Sequence, residues 1–344
     1  MSDYFFLVRN LATDLKSRLQ KSFPDARYIF VANPVAGSST LRTQALSACT
    51  ECAGSGAETR PEPPEILWTE YPGHARELAR GILQRSDGRT RIIVVSIGGD
   101  GTHNELLSAA VQRKNGQSDP EKSRNIAFLR VPFGSGNDSA DAPDLAGLYQ
   151  RIDGLQTIGD APAVLVTTRK REFLSFNIAS IGIDAFITAT RERFRSFLPG
   201  NSYRLLADAS ILFYEQFVRL KRSRFVVGDE SWEQDAMLIA FGAGGRRTYG
   251  GHLKVLPGRE NLCIINRGGL VTKLRMKKLF YEGRHTAQPL TRMFDTQAFE
   301  FHYPGKLHLQ VDGEPVLLTR DEFPVRFEVI PRAVQVVVPA RFAG

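Results

Sequence analysis

Three carboxylates, Asp100, Asp312 and Glu314, stand beside glycines that leave the backbone open, and their neighbours decide what chemistry they could do. Asp100 lies inside Gly98-Gly99-Asp100-Gly101-Thr102, directly behind the apolar, β-branched run 92–97. Glycines at 98, 99 and 101 permit a positive φ and let a ligand reach the backbone with no Cβ in the way. Leu106, Leu107 and Ala110 follow at helical spacing, and Thr102 and Glu105 stand at the spacing of a capping box, which predicts a helix that starts at Thr102. A helix N-terminus carries roughly +0.5 of an elementary charge and several unpaired N–H groups, so a glycine turn feeding one is a seat for phosphate. A carboxylate beside phosphate repels it unless it binds a cation or handles a proton, which makes Asp100 more informative than the glycines. Asp312-Gly313-Glu314 taken alone reads as a β-turn, because Asp-Gly is a frequent turn dipeptide. His103 is expected to be an exposed helix residue.

The elements that must position these residues form two patterns. Residues 28–32 read as a strand running into Asn33-Pro34-Val35-Ala36-Gly37, and residues 66–70, with Thr69, read as a second running through Tyr71-Pro72-Gly73 into a helix. The run before Gly98 is the third. Residues 126–131 are the fourth, leading into Pro132-Phe133-Gly134-Ser135-Gly136-Asn137-Asp138. Alternating strands and helices predict a doubly wound parallel sheet over 27–154, with all four turns on the edge where open α/β sheets place ligands. From 155 to 344 the grammar changes to short β-rich runs at 163–168, 173–178, 236–241, 262–266, 306–311, 325–330 and 334–338. These predict a sandwich-like second domain, interrupted by one helical stretch over 187–220 that breaks at Pro199-Gly200. Residues 1–26 form an amphipathic extension, with Phe5, Val8, Leu11, Leu15 and Leu19 on one face. Packing on the protein's own surface is the favoured use of that face over lying on a membrane.

The 344 residues carry 45 lysines and arginines against 37 acidic residues, a net charge of +8 that calls for an anionic neighbour. The cations cluster in the second half, at Arg191, Arg193 and Arg195; at Arg219, Lys221, Arg222 and Arg224; at Arg246 and Arg247; and at Lys273, Arg275, Lys277 and Lys278. No zinc-finger or RNP-type signature is present, which disfavours nucleic acid and leaves peripheral contact with an anionic membrane surface. Apolar runs fall short of the roughly 20 residues that span a bilayer. Cys49, Cys52 and Cys263 are an odd set with no secretion signal ahead of them, so a cytoplasmic setting is expected. The Cys49/Cys52 pair lacks the second pair that a tetrahedral zinc requires.

With these stretches in hand, the chain resembles the diacylglycerol kinase and sphingosine kinase family of lipid kinases. The matching residues are Asn33-Pro34 with Gly37; Thr69-Glu70 with Gly73-His74-Ala75; Gly98 to Glu105; Pro132 with Gly134-Ser135-Gly136-Asn137-Asp138; Phe176-Asn177-Ile178-Ala179 with Gly182 and Asp184-Ala185; and Asp312-Gly313-Glu314. The resemblance implies ATP as donor, Mg2+ as cofactor and a membrane lipid hydroxyl as acceptor. It places Asn33, Gly37, Thr69, Gly98, Gly99, Gly101, Thr102, Gly134, Ser135 and Asn137 around the nucleotide. It makes Asp100, Asp312 and Glu314 catalytic, serving magnesium and the acceptor hydroxyl. Which of Asp100 and Asp312 is the general base stays open; position favours Asp100, inside the phosphate turn, at magnesium and Asp312, in the second domain, at the hydroxyl. Phosphoryl transfer needs such carboxylates because its catalysis is mostly positioning and charge neutralisation. The chain has no G-x-x-x-x-G-K-[ST], which excludes a Walker-type site. Ser135-Gly136-Asn137 is closer to the sphingosine kinases, and Gly99 to Glu105 to the diacylglycerol kinases, so the acceptor stays open. Where bacterial members carry an Asp-Gly pair linked to a structural magnesium, this chain has Leu256-Pro257-Gly258-Arg259-Glu260. The alternatives are an NAD kinase-like enzyme, which shares the Gly-Gly-Asp-Gly-Thr turn, and a non-catalytic relative that binds lipid or nucleotide.

Overall fold

The structure is a computed structural model that describes residues 2–36, 63–111, 113–114, 117–118, 123–134, 137–194, 222–249 and 253–340. The chain forms two compact units, Met1–Ala161 with Arg332–Gly344, and Pro162–Pro331. The chain from Arg332 onward thus returns to the first unit, an assignment that element order alone does not give. Cys49, Cys52, Gly37 and Ser135 lie outside the described residues, as do residues 195–220 of the predicted 187–220 helix.

The first unit is built on strands β1 (Arg27–Ala32), β2 (Glu65–Trp68), β3 (Ile92–Gly98) and β4 (Ile126–Pro132). They lie parallel in the order β2-β1-β3-β4, and Gln335 and Val336 of the final strand pair with Ala127 and Phe128 beyond β4. β3 is buried along its whole length, as expected of a parallel strand covered on both faces. Tyr28, Phe30, Ile93, Val95, Leu129 and Val131 alternate onto one face. That face is covered by α1 (Ser2–Gln20) and, beyond α2 (His74–Arg85) and α3 (Asp100–Ala110), by α4 (Leu145–Ile152). The opposite face, which carries Ser96, receives α3. α1 buries Tyr4, Leu7, Val8, Leu11, Leu15 and Leu19, so its apolar stripe belongs to the core. Phe5, expected on that stripe, sits at its rim at 40% exposure, edge-on to Trp68.

The second unit is a two-layer β structure. One sheet has the order β12-β11-β10-β7-β14-β15, and it begins in sequence after β5 (Gln156–Thr167) and β6 (Glu172–Ser175). Its strands are β7 (Ile178–Gly182), β10 (Ala236–Gly242), β11 (Leu262–Asn266), β12 (Thr291–Phe294), β14 (Leu307–Val311) and β15 (Glu314–Leu318). The other layer joins the hairpin β8 (Ser223–Val227) and β9 (Glu230–Gln234) to β13 (Ala298–His302) and the first part of β16 (Val325–Pro339). Phenylalanines seal the layers: Phe299 stacks on Phe327 at 4.5 Å and meets Phe241 edge-on at 5.2 Å. Cys263 is buried in β11, and burial pushes its thiol up. Helix α5 (Ile183–Phe194) follows β7 directly. The runs 325–330 and 334–338 are one strand. Helix α6 (Leu270–Glu282) was not expected, because its cations mask the pattern and Met276 is its buried side chain among those described. No helix among the described residues is long and apolar enough to cross a membrane.

Candidate active site

The strand order β2-β1-β3-β4 reverses direction between β1 and β3, so the crevice outside their carboxyl ends is the topological switch point of the sheet. Asn33 leaves β1 there, and Gly98-Gly99 leaves β3. The Asn33 amide donates to the Ile97 carbonyl at 3.0 Å. Its side-chain Nδ2 donates to Thr102 Oγ1 at 3.1 Å, while Oδ1 accepts from Val35 N at 3.0 Å. One asparagine therefore shapes its own turn and ties it to α3. The glycine turns after β3 and β4 press together: a Cβ on Gly134 would lie 2.5 Å from Gly99 Cα, and Phe133 N donates to the Gly98 carbonyl at 3.2 Å. Asn137 closes the second turn in the left-handed region, φ 57°, with Oδ1 accepting from Gly134 N at 2.7 Å. Thr69 is buried at the end of β2, its amide donating to the Ala32 carbonyl at 3.0 Å.

Helix α3 starts two residues earlier than the sequence predicts, with Gly99 as N-cap and Asp100 in the first turn. No capping box forms, because both of its residues are used elsewhere. Thr102 is bonded by Asn33, and Glu105 Oε1 accepts from Gly73 N at 2.8 Å. The first-turn amides, without intrahelical acceptors, open at the switch point beside Gly101. Asp100 Oδ1 accepts from Ser139 N at 2.8 Å and from Ser139 Oγ at 2.6 Å. His103 is not exposed but wholly buried, its Nδ1 2.7 Å from Ser96 Oγ, and burial pushes it down to about 4. It lies on the face of α3 that packs on the sheet, where the Ser96 hydroxyl of β3 meets its ring.

In the second unit Asp312 and Gly313 form a two-residue hairpin turn between β14 and β15, with φ of 48° and 88°. Positive φ at both central residues is the geometry that matches strand twist and that Asp-Gly supplies. Asp312 is 7% exposed, unusual for a hairpin tip, because its carboxylate reaches the turn between β6 and β7. Oδ1 accepts from Ser175 Oγ at 2.6 Å and Asn177 N at 3.0 Å, and Oδ2 accepts from Phe176 N at 2.7 Å. Glu314, two residues on, is exposed at the start of β15. Gln310 links this turn to a second carboxylate: its Oε1 accepts from Gly313 N at 2.7 Å and its Nε2 donates to Asp184 Oδ2 at 3.3 Å. Ser180 Oγ donates to the same Asp184 oxygen at 2.6 Å. Burial pushes the Asp184 carboxyl up to about 6, against the hydrogen bonds from Ser180, Gln310 and Tyr249 that lower it.

Residues 27–164 match the family described as diacylglycerol kinase catalytic domain, and residues 177–338 match the YegS C-terminal NAD kinase beta sandwich-like domain. The chain carries a diacylglycerol kinase catalytic domain. It is a kinase, a phosphotransferase. A relative from Citrobacter koseri named "Probable lipid kinase YegS-like" is 28% identical over 83% of this chain and 94% of its own. A relative of the same name from Shewanella frigidimarina is 25% identical over 72% of this chain and 76% of its own. Among solved structures, a diacylglycerol kinase from Bacillus anthracis shares the fold with a TM-score of 0.57 at 13% identity, covering 92% of this chain and 97% of that one.

Within this kinase fold, Asn33, Thr69, Gly98, Gly99, Gly101, Thr102, Gly134 and Asn137 gather at the carboxyl edge of one sheet. A Cβ at Gly134 would run into Gly99, so the two turns touch only because both residues are glycine. Among the described residues there is no group of three or more His, Cys, Asp and Glu that could hold a metal. A single carboxylate fits magnesium all the same, because that ion is usually bound by one or two carboxylates together with substrate phosphates and water. Asp100 would be that carboxylate. Sequence reasoning missed Ser139, Ser175 and Gln310 as partners of the carboxylates. One signal was available: Ser180 and Gln310 face each other across β7 and β14, polar residues in mostly apolar strands.

Proposed function

We propose that this protein transfers the γ-phosphoryl group of ATP to the hydroxyl of a membrane-resident lipid, a diacylglycerol or a sphingoid-type acceptor. The observation that carries the reading is the pair of touching glycine turns at the switch point, with Asp100 held beside the open end of α3. Magnesium, when bound with ATP, would neutralise the triphosphate charge. Asp100 would ligate it, and Asn33, Thr102 and the first-turn amides of α3 would orient the phosphates.

The three hydrogen bonds on Asp312 support a positioning role on the acceptor side more than a proton-accepting one. A carboxylate has about four lone-pair sites, and those spent on Ser175, Phe176 and Asn177 cannot receive a proton. In this reading Asp312 fixes the β6–β7 turn and the hairpin, and Glu314 stands at the mouth of the acceptor site.

Contact with an anionic membrane surface is best supported at α6. The basic clusters are not equivalent: Arg222 is paired with Glu233 and Arg247 donates to the Phe176 carbonyl. Arg275 and Lys278 are exposed and make no ion pair among the described residues, and Val271 on the same helix is 81% exposed. Cations beside an exposed apolar side chain fit an interface of anionic headgroups.

The deciding experiment offers γ-labelled ATP with a panel of diacylglycerol, monoacylglycerol, sphingoid base, ceramide and NAD. Label in one lipid class is the expected result and names the acceptor. Label in NAD alone would replace the reading with an NAD kinase-like one. No label anywhere, with ATP bound, would leave a non-catalytic relative.

A further inference from the structure

Asp100 is gripped from one side. Both hydrogen bonds it accepts among the described residues come from Ser139, and both end on Oδ1. Ser139 is 4% exposed and is itself fixed from both directions along the chain. Upstream, Asn137 closes the Gly134 turn, and its carbonyl accepts from Ala140 N at 3.3 Å. Downstream, the buried Asp141 carboxylate accepts from Arg130 N at 2.6 Å and Arg130 Nη2 at 2.7 Å, while Asp141 N donates to the Arg130 carbonyl at 3.1 Å. Arg151 Nη1 adds a bond to the Asp141 carbonyl at 3.0 Å. The serine is therefore delivered to one point by β4 and α4, and it leaves Asp100 with one oxygen committed and one to offer.

We propose that Ser139 is a positioning residue that commits Oδ1 of Asp100 and presents Oδ2 as a single-oxygen ligand to the magnesium of a magnesium–nucleotide complex. Magnesium demands near-ideal octahedral geometry, so a carboxylate free to rotate, or to approach with both oxygens, is a poorer ligand than one locked edge-on. The hydroxyl bond matters beyond the amide bond because it fixes the plane of the carboxylate, which one amide cannot. The inference rests on the reading that Asp100 serves magnesium.

The test is an equilibrium titration of Mg2+ into the purified full chain with a fluorescent, non-hydrolysable ATP analogue, read as bound analogue and not as turnover. Ser139→Ala is expected to raise the half-saturating Mg2+ about 10-fold, the scale of one hydrogen bond to a charged group. Analogue binding without Mg2+ should stay at the wild-type value. Ser139→Thr, which keeps the hydroxyl, is expected to restore the wild-type Mg2+ dependence, a rescue that a merely structural role would not give. Asp100→Asn serves as the reference and should lose the Mg2+ enhancement altogether. If Asp100→Asn loses it while Ser139→Ala keeps the wild-type half-saturation, the positioning role is overturned and the magnesium reading stands. If Asp100→Asn keeps the enhancement, the magnesium reading itself falls, and the role of Ser139 with it. A thermal melt of each variant separates these outcomes from misfolding, and should Ser139→Ala melt early, Ser139→Cys supplies the same loss of a strong donor with an atom kept at the γ position.

Discussion

At the scale of single residues, the two acidic sites of the second unit ask for different experiments. Asp312→Asn keeps shape but replaces one acceptor oxygen by a donor facing amides, so it should lower kcat by roughly 10²–10⁴-fold, the scale of a misplaced catalytic group, with magnesium–ATP affinity nearly intact. A positioning role predicts that the acidic limb of the kcat/KM pH profile does not move in Asp312→Asn. Loss of that limb would restore Asp312 as the general base. Asp184 makes a prediction about stability. Its folded carboxyl titrates at about 6 against an ordinary 3.8, so the folded state binds the proton more tightly than the unfolded chain. The stability it contributes is present at acid pH and is lost as pH rises through about 6, at about 1.4 kcal/mol for each pH unit that separates the folded from the unfolded titration. Asp184→Asn does not titrate. The melting temperature of this variant minus that of wild type should therefore climb between pH 4 and pH 6 and then level off. A difference that stays flat over that window would show that Asp184 is not the group responsible. Neither residue's environment could be read in the sequence. Asp312-Gly313 announces a turn, but nothing local says that its carboxylate reaches back to Ser175, which is 137 positions away.

At the scale of elements, the glycine turns were legible and their mutual contact was not. Each apolar run ending in glycine marks a strand and its turn, yet the closeness of Gly99 and Gly134 depends on β3 and β4 being neighbours in register, Ile97 against Val131. Gly134→Ala should abolish nucleotide binding in an analogue titration, since its Cβ, 2.5 Å from Gly99 Cα, must drive the two turns apart. Overpacking of this kind costs about 1–3 kcal/mol, so the melt should drop only modestly. Gly154→Ala is the control, because a Cβ there meets nothing within 4 Å. Equal nucleotide affinity in the two variants would move the phosphate seat elsewhere. The start of α3 was misread for a related reason: Thr102 and Glu105 have capping-box spacing, but Asn33 and Gly73, from other turns, compete for their side chains. Tertiary bonds of that sort also hid His103. Helix α1 was read well, and its burial gives a sharp expectation. Leu11→Ala, at 1% exposure, should cost about 2–5 kcal/mol by denaturant unfolding. Phe6→Asp, at 63% exposure, should leave both stability and vesicle binding unchanged. Loss of vesicle binding in Phe6→Asp would return α1 to the membrane.

At the scale of the whole molecule, a net charge of +8 and the proposed membrane-lipid acceptor point to an electrostatic association. Composition revealed the excess charge, but only the structure separates cations already spent on Glu233 or on backbone carbonyls from those that are open to a surface. Arg275 and Lys278 on α6 are in the second group. Each cation near an anionic leaflet is worth about 1 kcal/mol, and the attraction decays over a Debye length of about 8 Å at physiological ionic strength. Replacing both by glutamate reverses two charges, so partition onto vesicles containing phosphatidylglycerol should fall by at least about 30-fold at low salt. Binding of the wild type should fade as salt rises, and neither protein should favour vesicles of phosphatidylcholine alone. Turnover of a short-chain acceptor in detergent micelles should be unchanged in the variant, since α6 holds none of the residues that orient the nucleotide. Vesicle binding that is indifferent to salt, or equal in the wild type and in the Arg275→Glu/Lys278→Glu protein, would remove Arg275 and Lys278 as the docking cations and leave the exposed Val271 of the same helix as the point of contact to test.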